Sequence, residues 1–242
     1  MFGLFYPYGV VLQALAVIHF VRRRPDTYWL WIILVFGGLG ALAYILVEVI
    51  PDVRLLRGAF QVFPRRKRIK ALEAAIIDNP SIGNYEELGD LYLDDKQYAR
   101  ARECFDNVIA RSDGIDPFYR RALAELALND YQAAAADLAK VVARDPKYDY
   151  QRAAGLHAHA LARNGERESA AALFAEVTKT STLSETQYHY ASLLADEGRT
   201  PEAREWAERI LRKKATMPEY IRRRERPWFR SARALLKRLP RA

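Results

Sequence analysis

A helical motif recurs four times between residues 82 and 216 of this 242-residue chain. In the first copy Leu88, Gly89 and Tyr92 lie at three- and four-residue spacing, and after a polar turn Ala101 and Phe105 repeat that spacing. The copies begin at Ile82, Ile115, Gln151 and Ser184, so their starts are 33, 36 and 33 residues apart. Such a period is typical of arrays in which a pair of helices buries its apolar face only by stacking on the next pair. The sequence therefore predicts an all-α solenoid.

The first copy resembles the tetratricopeptide repeat, in which Leu-Gly-x-x-Tyr on one helix is followed by Ala-x-x-x-Phe on the next. The later copies retain the small second-helix residue, as Ala134, Ala170 and Ala203, but depart from the pattern in their first helices. The resemblance implies a superhelical solenoid of about four repeats with capping helices. It also implies that the first helices of successive units line a concave groove for peptides or partner helices, and that Phe105 and Phe174 are buried.

Segments on either side of the repeats have helical patterns of their own. Residues 53–81 combine a basic linker with apolar residues at helical spacing before Pro80, which predicts an N-terminal capping helix or half-repeat. Residues 217–242 form a basic segment in which Pro227 precedes a last helix. The apolar stripe of that helix consists of Trp228, Ala232, Leu235, Leu236 and Leu239. The predicted domains are thus 1–52, 53–81, 82–216 and 217–242.

The first 52 residues differ from the rest in composition. Residues 2–21 have no charged side chain, and residues 28–50 have only Glu48. About 20 apolar residues suffice for a helix to cross a membrane, so the segment predicts a two-helix transmembrane hairpin. A cleaved signal peptide and a buried globular hairpin are the alternatives. The basic residues follow the first apolar stretch rather than precede it, which disfavours the signal peptide.

Residues 18–48 resemble the N-terminal hairpin of bacterial cardiolipin synthases of the phospholipase D type. The shared features are an Arg-rich turn, Trp29 near the start of the second helix, and Gly40 followed by Tyr44. The resemblance implies a membrane hairpin but not the enzyme. Those synthases use a His-x-Lys-x4-Asp motif, and no histidine of this chain has a lysine two residues later.

Basic residues near the apolar stretches predict the membrane topology. Seven lysines and arginines follow the second stretch between residues 54 and 70, whereas the turn between the stretches contains three arginines. The larger cluster favours the cytoplasmic side for the C-terminal part, and the three arginines of the turn argue against it. The predicted location is therefore the bacterial inner membrane, as a multi-pass protein with a cytoplasmic soluble domain.

Charge is distributed unevenly along the chain. Residues 81–210 contain 16 basic and 23 acidic residues, whereas residues 211–242 contain 12 basic and two acidic ones. Basic clusters attract anionic lipid headgroups, and the candidate residues are Arg65, Arg66, Lys67, Arg68, Arg222, Arg223, Arg224 and Arg226. The first cluster is equally consistent with a role in topology alone, and the second with a solvated cap. Nucleic acid is disfavoured because no recognised nucleic-acid motif accompanies the charge.

The groove-facing positions of the family identify a candidate partner site. The aromatic, arginine and histidine residues at these positions are Tyr119, Arg152, His159, Arg163 and Tyr188. Aromatic and arginine side chains are favoured anchors at interfaces, and ordinary solvated groove residues are the alternative. Some family members bind chaperone C-termini through a two-Lys, two-Asn clamp, which is missing here because Glu86 and Asp90 occupy the corresponding positions.

Composition favours a non-enzymatic role. The single Cys104 excludes an intramolecular disulfide, and the four scattered histidines form no metal-binding motif. No nucleophile–base set or phosphate-binding loop was found, so neither a catalytic residue nor a cofactor is predicted. The sequence predicts a membrane-anchored scaffold that recruits a protein partner at the inner membrane. The alternative is an accessory subunit of phospholipid or envelope biogenesis that contacts anionic lipid through its basic ends.

Overall fold

The structure is a computed structural model that describes residues 6–23, 27–49 and 54–240, with the side chains of some helical residues left out. The chain divides into two compact units, Met1–Lys70 and Ala71–Ala242, and each is described by itself. Among the described residues all regular structure is helical.

The first unit contains short apolar helices. Its elements are α1 (Tyr6–Arg23), α2 (Tyr28–Val35), α3 (Gly37–Tyr44), a π-helical segment (Ile45–Val49) and the first part of α4 (Arg54–Asp78). Ala16 of α1 packs with Ile33 of α2 and with Ala41 and Tyr44 of α3, and all four side chains are buried. The backbones of α1 and α3 approach closely at glycine, since a Cβ on Gly38 would lie 3.1 Å from the Gly9 Cα atom.

The predicted second span is broken. The sequence predicts one helix over residues 28–50, but α2 ends at Val35 and α3 begins at Gly37, whose φ of +55° is left-handed. The Ile33 carbonyl near this break accepts a hydrogen bond from Gln13 Nε2 at 3.0 Å. Within the described residues no helix has both the length and the apolar character needed to cross a membrane. The structure therefore does not support the two-helix transmembrane hairpin or its resemblance to the cardiolipin synthase segment.

The second unit contains the repeats and the capping helices. The four pairs are α5 (Ile82–Asp94) with α6 (Tyr98–Ile109), α7 (Ile115–Leu128) with α8 (Tyr131–Arg144), α9 (Arg152–Asn164) with α10 (Arg167–Val177), and α11 (Ser184–Asp196) with α12 (Thr200–Lys213). Two C-terminal helices follow, α13 (Glu219–Arg224) and α14 (Arg226–Arg238). The first helices begin within one residue of the predicted unit starts, so the solenoid and its phasing are confirmed.

Local sequence explains where these helices begin and end. The Ser81 side chain caps α5 by accepting a hydrogen bond from the Asn84 N–H at 3.3 Å, and Asp130 caps α8 in the same way. Asn129 and Gly165, which follow the ends of α7 and α9, adopt left-handed backbone conformations with φ of 62° and 98°. Capping side chains and left-handed residues thus set the bounds of these helices.

Small and large residues alternate in the core as the repeat pattern predicts. Ala101, Ala134, Ala170 and Ala203 occupy equivalent second-helix positions, and each has no exposed surface. Phe105 and Phe174 are 1% and 0% exposed. The alanines let neighbouring helices approach closely, and the phenylalanines fill the space between helices. Successive pairs therefore bury a continuous core.

A buried ion-pair network lies between α7 and α8. The Arg121 guanidinium donates hydrogen bonds to both oxygens of Asp137, at 2.6 and 2.9 Å, and lies 3.6 Å from Glu125. Asp137 is 2% exposed and Glu125 4% exposed. Burial, and after it the charge of Asp137, raise the pKa of Glu125 to about 7 against the opposing effect of Arg121.

Helices at both ends of the second unit pack against the repeats. At the N-terminal end, Glu73 of α4 accepts hydrogen bonds from Tyr92 at 2.5 Å and from Arg100 at 3.3 Å. At the C-terminal end, α14 contributes Phe229, Ala232, Leu235 and Leu239 to the core of the fourth pair. The sequence placed Trp228 in this stripe, but Phe229 is the residue buried there and Trp228 lies on another face.

Candidate functional site

The first helices of successive pairs are linked by polar contacts along one face. Arg120 of α7 donates a hydrogen bond to Asp90 of α5, and Arg152 of α9 donates one to the Tyr119 hydroxyl of α7 at 3.0 Å. Arg152 also binds both carboxylate oxygens of Glu185 on α11, at 2.6 and 3.2 Å. We call the surface formed by α5, α7, α9 and α11 the first-helix face. These contacts fix its curvature from one pair to the next.

Tyr119 and Arg152, both predicted to anchor a partner, belong to this internal network. Tyr119 is 6% exposed, and its hydroxyl donates a hydrogen bond to Asp149. Burial and that hydrogen bond raise the pKa of Tyr119, so its hydroxyl stays protonated. Because both side chains bind other residues of the chain, their main effect is on how α7, α9 and α11 are arranged.

Five rings from the second, third and fourth pairs and from α14 form a continuous cluster. The His159 and His189 rings stack with centroids 3.7 Å apart, and the Trp228 ring lies 5.3 Å from His189 and 5.7 Å from Tyr188. The Tyr131 ring lies edge-on to His159, with ring centroids 6.2 Å apart. We call these residues the aromatic cluster: Tyr131, His159, Tyr188, His189 and Trp228. Each is half-buried, so the cluster offers a partly exposed aromatic surface.

The two histidines of the cluster are neutral at physiological pH. Burial, and after it the neighbouring His189, lower the pKa of His159 to about 3. Burial likewise lowers the pKa of His189 to about 4, with a further contribution from Arg152. Arg163, another predicted anchor, holds its guanidinium 5.1 Å from the centre of the Tyr131 ring. The site thus combines an uncharged stack with a cation at its edge.

Two clefts open beside the first-helix face. One has a volume of about 480 Å³ and is lined by acidic and apolar residues of the first two pairs: Asp90, Leu93, Asp94, Tyr98, Arg120, Leu123 and Ala127. The other, of about 1100 Å³, includes Arg152, Glu185 and Trp228 and is therefore continuous with the aromatic cluster. Tyr150 and Tyr220 line it and are 89% and 75% exposed.

Sequence reasoning identified only part of this site. The sequence analysis named His159 and Tyr188, which belong to the cluster, and Arg163, which lies at its edge beside Tyr131. It did not name Tyr131, His189 or Trp228. Adjacent first helices are offset along their axes. His189, five residues after the start of α11, therefore stacks on His159, which is seven residues after the start of α9. That offset could have indicated that His189 belongs to the cluster. No repeat pattern predicts the position of Trp228, because it comes from the C-terminal capping segment.

The predicted basic residues are divided among different surfaces. Arg222, Arg223 and Arg226 line one pocket of the C-terminal helices, whereas Arg224 lines the larger cleft. On α4, Arg66, Lys67 and Arg68 are exposed and Arg65 is half-buried. Among the residues that the structure describes, no three His, Cys, Asp or Glu side chains are grouped closely enough to hold a metal ion.

Comparison with known proteins identifies the repeats. A family model described as tetratricopeptide repeat matches three overlapping windows, at residues 86–149, 119–182 and 156–218. No curated protein matches the sequence.

Several solved structures share the fold. YrrB, titled a TPR protein with an unusual peptide-binding site, has 19% identity and a TM-score of 0.54, over 67% of this chain and 84% of that one. TTC0263, a thermophilic TPR protein of Thermus thermophilus, has 18% identity and a TM-score of 0.51, over 74% and 96%. A tetratricopeptide repeat protein from Parabacteroides merdae has 18% identity and a TM-score of 0.51, over 86% and 94%. At these identities the likeness concerns the fold alone.

Proposed function

Because the chain belongs to the tetratricopeptide repeat family, we propose that it is a scaffold whose first-helix face binds a protein or peptide partner. The aromatic cluster is the observation that carries this proposal. Its five rings are joined by a series of ring contacts, each ring is partly exposed, and the cluster adjoins a cleft of about 1100 Å³. Partly exposed aromatic side chains around a concavity are the groups that contribute most to protein interfaces.

The chemistry of the cluster defines the partner segment. Neutral stacked rings favour an apolar or aromatic side chain, and the guanidinium of Arg163 favours a carboxylate close to it in sequence. YrrB, with its unusual peptide-binding site, offers a precedent on the same fold. We therefore propose a partner segment in which an aromatic or large aliphatic residue is followed or preceded by an acidic one.

Selection from a random peptide phage library on the immobilised full chain tests this proposal. We expect enrichment of peptides with the stated composition, and loss of their binding in His159→Ala and Trp228→Ala. His157→Ala is the matched control, because it removes the same side chain from α9 but lies outside the cluster. Truncating an anchor should weaken binding by about 2 kcal/mol, or about thirtyfold. Equal binding by all variants would refute the assignment.

We also propose that the first unit attaches the protein to the cytoplasmic face of the bacterial inner membrane. Its helices expose large apolar side chains, among them Leu15, Val35 and Leu39, which are 58%, 69% and 77% exposed. Exposed apolar surface of this kind marks contact with a membrane or another protein. The basic residues after the apolar stretches support a cytoplasmic second unit.

Fractionation of cell membranes tests the attachment. The full chain should stay with the membrane after washing at high salt, and Leu15→Glu with Leu39→Glu should release it. Ile77→Glu is the control, because it adds the same charge at an exposed position of α4, outside the apolar helices, and should leave the chain on the membrane. Release of the unaltered chain by salt alone would contradict the proposal.

A second candidate function is an accessory role in phospholipid or envelope biogenesis, with contact to anionic lipid through the basic ends. The exposed Arg66, Lys67 and Arg68 on α4 favour it. Purification of the full chain in mild detergent separates the two functions. Co-purified anionic lipid that is lost when these three residues become Gln supports the accessory role, and a co-purified protein lost in Trp228→Ala supports the scaffold.

A further inference from the structure

The C-terminal helices form a strongly basic pocket that shares no residue with the aromatic cluster. Its volume is about 330 Å³. Residues from the end of α12 through α14 line it: Lys214, Glu219, Arg222, Arg223, Arg226, Phe229, Arg230 and Arg233. We call this concavity the basic pocket.

Positive charge in the basic pocket is largely uncompensated. Glu219 is its one acidic residue, and that carboxylate already binds Arg223. Within the described part of the chain, the structure shows no ion pair or hydrogen bond from the side chains of Lys214, Arg222, Arg226, Arg230 or Arg233. Five cations therefore converge on one small volume without an internal counter-charge, which concentrates anions there.

The pocket is built on a fixed base. Arg226, Arg230 and Arg233 lie on one face of α14, at the spacing of successive helical turns. Phe229 of the same helix is 3% exposed, and Ala232 and Leu235 are buried in the core of the fourth pair. The apolar side of α14 thus fixes the helix, and with it the backbone positions from which its three arginines line the pocket.

We propose that the basic pocket binds a compact phosphate group of charge −2 or more, as in a phosphate monoester or a diphosphate. Guanidinium groups match phosphate oxygens in bidentate geometry, and several of them around one concavity suit a ligand with three free oxygens. A phosphodiester offers one negative charge and two free oxygens, so five cations match it less well. The small volume also favours a compact group over an extended polymer.

The same chemistry occurs in free metabolites and in lipid headgroups, and two probes distinguish these sources. Sodium pyrophosphate represents a free diphosphate, and glycerol 3-phosphate represents a lipid headgroup with a terminal monoester. Each is titrated into the purified full chain by isothermal calorimetry at a constant ionic strength. Tighter binding of pyrophosphate indicates the free diphosphate, and tighter binding of glycerol 3-phosphate indicates the headgroup; either outcome supports the site.

Variants in neighbouring residues make the test specific. Arg226→Gln with Arg230→Gln should weaken binding at least about tenfold, because each change removes charge-assisted hydrogen bonds. Arg224→Gln is the matched control, since it alters the charge of the same segment but lines the other cleft. Arg224→Gln should leave the affinity for either probe unchanged. Peptide binding by the aromatic cluster should persist in Arg226→Gln with Arg230→Gln, because neither residue lines the larger cleft.

Three results would overturn the proposal. One is the lack of saturable binding of either probe, and another is equal weakening by Arg224→Gln, which would indicate a diffuse charge effect. The third is a ten-residue oligothymidylate that binds more tightly than both probes and is not displaced by them. That result would assign the surface to a phosphodiester polymer instead.

Discussion

The contact between Phe105 and Gly89 can be tested by substituting either residue, alone or together. Phe105 of α6 is 1% exposed, and its ring lies against Gly89 of α5. A Cβ added to Gly89 would meet the tip of that ring at 2.7 Å, which is closer than real Cβ contacts. Glycine at this position is therefore what allows α5 and α6 to approach with a phenylalanine between them.

Each single substitution should destabilise the first pair, for opposite reasons. Phe105→Ala removes a fully buried ring and leaves a cavity, which costs about 3–5 kcal/mol. Gly89→Ala forces the ring aside, and such overpacking costs about 1–3 kcal/mol, partly offset by the better helix propensity of alanine, about 1 kcal/mol.

Together the substitutions should be less harmful than their sum. In the Phe105→Ala protein the obstructing ring is gone, so the added methyl group of Gly89→Ala fills part of the cavity and improves helix propensity. Gly89→Ala should therefore change sign and stabilise that protein by about 1 kcal/mol. The coupling free energy between the two sites is expected to be about 1–3 kcal/mol.

Hydrogen exchange of the full chain, followed by mass spectrometry of its peptides, measures these effects locally. Peptides from α5 and α6 should exchange faster in each single variant, by about tenfold per 1.4 kcal/mol. Peptides from α12 are the internal control, because a stacked array transmits a change mainly to neighbouring units. Strictly additive effects, or Phe105→Ala with unchanged exchange in α6, would refute the packing and the repeat phasing.

Further predictions concern charge. Folded Glu125 holds its proton up to about pH 7, compared with 4.5 in the unfolded chain, so stability should fall as pH rises between these values, by up to about 3 kcal/mol. Glu125→Gln should remove most of this pH dependence of stability, as measured by hydrogen exchange of peptides from α7. The opposite slope is expected at His189, whose lowered pKa makes the fourth pair less stable as pH falls from 6.5 to about 4, and His189→Phe should remove it. Arg121→Met should cost about 3–5 kcal/mol by leaving Asp137 buried without its main partner, and the added change Asp137→Leu should restore stability in urea unfolding. A reporter fused after Ala242 should behave as cytoplasmic; activity of a periplasmic phosphatase there would contradict the proposed topology.

The repeats were predictable because their signal is redundant. Ala101 and its three equivalents recur at one position of every unit, and each is fully buried. Departures in one helix therefore did not disturb the phasing of the array. Turn residues such as Asn129 and Gly165 supplied independent boundaries, since their left-handed conformations end the helices that precede them.

The first unit and the aromatic cluster were less predictable for a shared physical reason. A continuous apolar run does not show where a helix breaks, and the left-handed Gly37 divides one that composition alone would join. In the cluster, His189 meets His159 only because neighbouring helices are offset, and Trp228 arrives from outside the repeats. Contacts between units depend on tertiary geometry, which a one-dimensional period does not contain.

The central claim is that a partner binds on the first-helix face, and site-specific photocrosslinking in cells tests it most directly. A photoreactive phenylalanine in place of Tyr188 keeps a ring in the aromatic cluster, and the same residue in place of Glu205, exposed on α12, is the control. We predict a discrete crosslinked protein from position 188, abolished by Trp228→Ala, and none from position 205. Crosslinks from position 205 alone, or from position 188 at full yield in Trp228→Ala, would contradict the account.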